Sequence, residues 1–126
     1  MTPHNLNLST LGKTWIFDLD GTLVVHNGYK TGHDELLPGA LDFLQTLPED
    51  DFIIILTARE KEARPQTESF LQEHKIKYNL LLFGMPMGER ILFNDNKPSG
   101  LKTAYVVECE RNAGLEGFIV TIDPEL

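Results

Sequence analysis

Three short clusters carry residue types that can do chemistry: Asp18-Leu19-Asp20-Gly21-Thr22, Thr57-Ala58-Arg59 and Asn94-Asp95-Asn96-Lys97. Asp18 and Asp20 are two apart, so where an extended segment ends both carboxylates can project to one side while Leu19 points inward. Two carboxylates this close repel, and keeping both ionised at a buried rim is costly unless a cation joins them or one takes a proton. With Asp95 the set is all oxygen, which suits Mg²⁺, a hard ion that keeps several waters and accepts a phosphate oxygen. Zinc is disfavoured, because no Cys/His spacing accompanies the acids.

An ionised Asp beside such a cation can attack phosphorus, and a second Asp can protonate the leaving oxygen and later deprotonate water. Asp18 is therefore the expected nucleophile and Asp20 the expected acid/base. Gly21 lets the backbone approach the phosphoryl group without a Cβ in the way. The Thr57 hydroxyl and backbone N–H groups of its loop can donate to phosphoryl oxygens, with Ala58 and Arg59 on the substrate side. Positioned donors and the metal then supply most of the acceleration. Taken singly, each cluster reads as ordinary turn chemistry: solvated acids, Thr57 capping a helix, Asn94-Asp95 in a turn. Their shared position after apolar runs is what favours a site.

The elements that must position these clusters are short apolar runs: Trp15 to Leu19, Phe52 to Leu56, Leu80 to Phe83, Ile91 to Asn94 and Ala104 to Val107. Most are continuously apolar, as for strands covered on both faces of a parallel sheet. A sixth run, Phe118 to Ile122, reads as an edge strand. Ala40, Leu41, Phe43, Leu44 and Leu47 form one helical stripe after Pro38-Gly39, closed by Pro48. Pro65 opens a second helix carrying Phe70, Leu71 and His74. Alternating strands and helices predict an α/β fold, a doubly wound and mainly parallel sheet flanked by helices, with the ligand beyond the carboxyl ends of the strands.

At 126 residues the chain fits one domain, 1–126, with an N-terminal extension over 1–13 and a flap-like segment over 22–36. The net charge of −8 argues against a broad grip on nucleic acid. No apolar run exceeds the five residues of Phe52–Leu56, against roughly 18 for a membrane-spanning helix, so no membrane partner is expected. A single Cys109 and no basic, apolar leader point to a reducing cytoplasm.

At these residues the chain resembles the haloacid dehalogenase-like (HAD) superfamily, dominated by phosphohydrolases. Asp18-Leu19-Asp20-Gly21-Thr22 matches its first motif, Leu56-Thr57-Ala58-Arg59 its second and Phe93-Asn94-Asp95 its fourth. The resemblance implies a HAD-like Rossmannoid core, an aspartyl-phosphate on Asp18, acid/base work by Asp20, and Mg²⁺ held by Asp18, Asp20 and Asp95. It also implies a Lys or Arg ahead of the fourth-motif strand, where this chain reads Gly84-Met85-Pro86 instead. Arg59, Arg90, Lys97 and Lys102 are the substitutes to weigh, with Lys97 favoured for its adjacency to Asp95.

The intervals from Asp20 to Thr57 and from Thr57 to Asp95 are filled by the flap, helices and a strand, which leaves no room for a cap domain. An open site implies a large substrate, or a lid supplied by the flap, a second subunit or a partner protein. Family likeness points to a sugar phosphate or related small phosphorylated metabolite; a nucleotide or polynucleotide end is the second substrate possibility, though the acidic surface argues against long nucleic acid. The rival is a HAD-like regulatory or partner subunit that binds Mg²⁺ or phosphate without turnover, for which Met85 is the motive. A receiver-like signalling domain fits poorly, because its phosphorylated Asp stands on a middle strand.

Overall fold

The computed structural model describes residues 4–126, so the first three positions of the N-terminal extension lie outside the described residues. Five strands and two α-helices follow in the order β1 (His4–Leu8), β2 (Thr14–Asp18), α1 (Ala40–Gln45), β3 (Phe52–Leu56), α2 (Arg64–Glu73), β4 (Leu80–Leu82) and β5 (Phe118–Ile122). The architecture is α/β with parallel strands in two sheets: a three-stranded sheet ordered β2-β3-β4 and a two-stranded sheet of β1 and β5.

Register explains which face is covered. Trp15 pairs with Ile53, Phe17 with Ile55 and Ile55 with Leu81, so these side chains share one face. Phe17, Ile53, Ile55 and Leu81 are buried there with Leu44 of α1 and Leu71 of α2. Phe43 meets Trp15 and Phe17 edge-on at centroid distances of 6.0 and 6.1 Å. Residues one step out of phase lie on the opposite face, where Ile16 is 52% exposed and Phe52 and Leu80 are also open. Among the described residues no helix follows α2, and flanking on both faces of the sheet is not observed.

Both helices are set by local chemistry. α1 begins at Gly39 and carries Ala40 and Leu44 on its buried side. α2 has Pro65 in its first turn, where the missing N–H costs nothing, and buries Thr67 and Leu71 four apart. Its end is a Schellman turn: Lys75 takes the left-handed conformation at φ 59°, its N–H donates to the Gln72 carbonyl, and the Ile76 N–H donates to that of Leu71. Ile76 and Leu71 are both buried, which closes the turn with an apolar contact.

Within the N-terminal extension over 1–13, His4–Leu8 is a strand paired with β5, His4 opposite Phe118 and Leu8 opposite Ile122. Two expected strands need correction. The runs Ile91–Asn94 and Ala104–Val107 are not strands: Ile91 is 78% and Phe93 92% exposed, and Val106 is open too. Side chains take the groups that a ladder would use. The Asn94 amide donates to the Thr103 carbonyl at 3.2 Å and the Thr103 hydroxyl donates to the Asp95 carbonyl at 2.6 Å. β2 therefore keeps an open edge. The chain exposes 8527 Å², where a compact protein of 14.2 kDa exposes roughly 6,800 Å².

The stretch that leads into β5 returns to the three-stranded sheet. Gly114, at φ 82°, sits where a Cβ would overlap the Pro38 carbonyl, and the Leu115 N–H donates to that carbonyl at 2.8 Å. Asn112 lies just before this contact and reaches the rim described next.

Candidate active site

β2 and β3 run parallel with Asp18 opposite Leu56, so their carboxyl ends finish at one rim. Beyond β2 the Leu19 N–H donates to the Leu56 carbonyl at 2.9 Å, which buries Leu19 and leaves Asp18 and Asp20 on the other side of the chain. Gly21 then turns at φ 90° with its N–H on the Val24 carbonyl at 2.7 Å. Thr57, one residue past β3, is fully buried, and its N–H donates to the Leu82 carbonyl of β4 at 2.9 Å. The sequence-predicted Asp18, Asp20, Gly21, Thr57, Ala58 and Arg59 thus gather at adjoining strand ends.

The two carboxylates have different surroundings. Asp18 is 38% exposed; its Oδ1 accepts from Arg90 Nη1 at 3.0 Å and its Oδ2 from the Thr22 hydroxyl at 3.4 Å. Asp20 turns inward. Its Oδ2 accepts from the Thr57 hydroxyl at 2.7 Å, and its Oδ1 accepts from Arg59 Nε at 3.0 Å and Nη2 at 2.9 Å. The Thr57 hydroxyl in turn accepts from the Arg59 N–H at 3.0 Å.

Arg59 does not face the substrate side as expected. Its side chain is 1% exposed, with Nη1 and Nη2 on the two Asp34 oxygens at 3.0 and 2.7 Å, Nη1 on the Thr67 hydroxyl at 2.9 Å, and the Tyr29 ring 4.0 Å from its central carbon. Burial alone would lower its pKa, but hydrogen bonds and charge from Asp34 and Asp20 outweigh this and hold it above its ordinary value. Planar guanidinium geometry explains the choice of residue, because one fork serves two carboxylates and a hydroxyl. Ala58 is exposed at the rim, and the backbone N–H groups of Asp20 and Ala58 have no hydrogen-bond partner among the described residues.

Asp95 and Lys97 are not brought to this cluster. Both are exposed, and among the described residues no group of three acidic, His or Cys side chains is placed to hold a metal ion. The cause is the missing strand: Ile91–Asn94 does not lie along β2, so the carboxylate after it is not carried to the rim. Lys97 forms no ion pair among the described residues, and Lys102 lies over the Tyr105 ring at 4.4 Å. Arg90, not the favoured Lys97, supplies the positive charge on Asp18.

Sequence reading missed Asp34, Asn112 and Arg111. The Asn112 N–H donates to the Gly21 carbonyl at 2.8 Å and its side-chain oxygen accepts from the His26 N–H at 2.8 Å, which ties the rim loop to the flap. Arg111 lies against Gly21, its Cγ 3.3 Å from where a Cβ would stand. Only the Asn112 backbone, left-handed at φ 64°, gives a local signal of the kind Asn favours. Burial raises the Cys109 thiol pKa, and the negative charge of Asp18 adds to it. A cavity of about 490 Å³ lies elsewhere, between Trp15, Phe43, Leu47 and β5. No helix among the described residues is long and apolar enough to cross a membrane.

No family model matches the chain, and no curated protein matches it. Two solved chains are similar to it. One belongs to a Pnkp1/Rnl/Hen1 complex, with 31% identity and a TM-score of 0.48 over 65% of this chain and 31% of that one. The other belongs to a Pnkp1/Rnl/Hen1 RNA repair complex, with 35% identity and a TM-score of 0.47 over 60% of this chain and 27% of that one. The chain thus spans less than a third of either, and TM-scores below 0.5 do not establish a shared fold.

Proposed function

We propose that the chain is a HAD-like, capless, Mg²⁺-dependent phosphomonoester hydrolase acting on a sugar phosphate or related small metabolite in the cytoplasm. The observation that carries this reading is the pairing of two strand ends: a DxDGT loop after β2, with Asp20 Oδ2 2.7 Å from the Thr57 hydroxyl after β3. In this mechanism an Asp18 carboxylate oxygen attacks phosphorus, the phosphorus–oxygen bond of the ester breaks, and Asp20, turned from Arg59 and carrying a proton, gives that proton to the departing oxygen. Asp20, now ionised, takes a proton from water as that water attacks the aspartyl-phosphate, which releases inorganic phosphate and restores Asp18. The free N–H groups of Asp20 and Ala58 are donors for phosphoryl oxygens, and Arg90 and Arg111 supply positive charge at the rim.

The donor set fits Mg²⁺. The Asp18 carboxylate is open to solvent and the Asp20 carbonyl has no donor among the described residues, so two hard oxygens are available. When bound, Mg²⁺ neutralises charge on the phosphoryl group. Asp95, exposed and away from this rim, is not among them.

A second reading, a phosphate- or Mg²⁺-binding partner subunit without turnover, is favoured by one contact: Arg90 occupies Asp18 Oδ1 at 3.0 Å. Inorganic phosphate release from a panel of phosphosugars, with Asp18→Asn as control, separates the two. Release by the wild type and not by the control supports hydrolysis. Equal release by both discards Asp18 as nucleophile, and release by neither favours the binding subunit.

A further inference from the structure

Arg59 joins two parts of the molecule that hydrolysis would use separately. One is the Asp20 carboxylate. The other is the segment between Val24 and Leu36, whose Tyr29 ring lies 4.0 Å from the guanidinium carbon and whose Asp34 takes a bidentate pair at 3.0 and 2.7 Å. Both carboxylates converge on one nitrogen: Nη2 is 2.9 Å from Asp20 Oδ1 and 2.7 Å from Asp34 Oδ1. Arg59, Asp34 and Asp20 are 1%, 4% and 13% exposed, so water screens little of the attraction or of the repulsion between the two acids. Two anions and one cation leave an excess negative charge, and each acid weakens the hold of the other.

We propose that Asp34 and Asp20 compete for Arg59, which makes Arg59 a positioning residue through which seating of the 24–36 segment frees the acid/base carboxylate. With the segment seated, Asp34 shares the guanidinium and Asp20 is held loosely enough to turn from Arg59 towards a departing oxygen. With the segment displaced, Arg59 and Asp20 form a one-to-one buried pair that holds Asp20 back. A substrate that seats the segment would thereby release the acid/base carboxylate that its own leaving group needs. The catalytic half of this inference rests on the hydrolase reading; the competition itself does not.

The experiment has two arms on the full chain. In the first, amide hydrogen exchange is followed at Val25 and His33, whose N–H groups donate within the segment to Glu35 and Gly28 at 2.9 and 3.1 Å. Asp20→Asn, nearly isosteric, leaves Arg59 to Asp34 alone, and both amides should exchange at least about threefold more slowly than in the wild type. Unchanged or faster exchange overturns the competition. In the second arm, Asp34→Asn should lower kcat/KM, which reads only the steps through departure of the leaving group, about tenfold for an alkyl phosphate, whose leaving group needs a proton, while kcat/KM for p-nitrophenyl phosphate, whose leaving group does not, stays within about twofold. Equal loss on both esters assigns Asp34 a structural role and overturns the positioning claim. Absence of phosphate release from either ester in the wild type refutes the hydrolase reading, and with it the catalytic half, while the exchange arm still decides the competition.

Discussion

Arg59→Met takes the cation from between Asp20 and Asp34 and replaces it with an apolar side chain of similar length. The five N–H···O contacts that Arg59 makes to these acids and to Thr67, at 2.7 to 3.0 Å, disappear together. Discounts that apply to exposed ion pairs do not apply here, because the guanidinium is 1% exposed and its partners 4% and 13%. Breaking a buried pair while its partner stays in place costs about 3–5 kcal/mol, since an uncompensated charge remains buried. A domain has about 5–15 kcal/mol of stability in all, so this loss is a large share of it. With a urea slope of about 2 kcal/mol per molar, the midpoint should fall by about 1.5–2.5 M. The companion variant combines Arg59→Met with Asp20→Asn and Asp34→Asn, which leaves no buried charge, and should recover to within about 1–2 kcal/mol of the wild type. Urea unfolding followed by Trp15 fluorescence reads both. A single variant that loses less than about 1 kcal/mol, or a triple variant as unstable as the single, would refute the view that Arg59 is held by charge rather than by packing.

Leu71→Ala empties a fully buried position between α2 and the sheet, and calorimetry should show a loss of about 2–5 kcal/mol; a loss near zero would mean that α2 does not cover the core. Asp18→Asn in metal-free buffer should speed iodoacetamide alkylation of Cys109, because burial and then the Asp18 charge raise that thiol's pKa and the variant removes the second cause. The same shift makes a stabilising contribution that is full below the unfolded thiol value near pH 9 and is lost as pH rises through the folded value. Arg90→Gln unpairs Asp18 at a site about two-fifths exposed on both sides, so unfolding should change by under about 1 kcal/mol while the KM for a phosphomonoester rises; a large stability loss with unchanged KM would make the contact structural.

Much of the fold was legible because it depends on near neighbours. β3 falls on Phe52–Leu56 as read from its apolar run, β2 and β4 agree within a residue at either end, and both helices follow their stripes and prolines. β1 was hidden because His-Asn-Leu-Asn-Leu has weak strand propensity and becomes a strand only through partners more than a hundred residues on. Ile91–Asn94 failed in the opposite sense: an apolar run shows that burial would be favourable, not that a partner strand is present. At the site, Asp18, Asp20 and Thr57 gather where the strand ends put them. Arg59 was legible as a cation near them but not as a buried one, since its burial depends on Asp34 and Tyr29, which sequence places far away.

The central claim is that Asp18 carries the phosphoryl group. Acid-quenched turnover of a labelled phosphomonoester in Mg²⁺, followed by peptide mapping, tests it most directly. The account predicts acid-stable, hydroxylamine-labile label on the peptide bearing Asp18, absent in Asp18→Asn and absent without Mg²⁺. Phosphate released with no label on that peptide, or label on another residue, would contradict it.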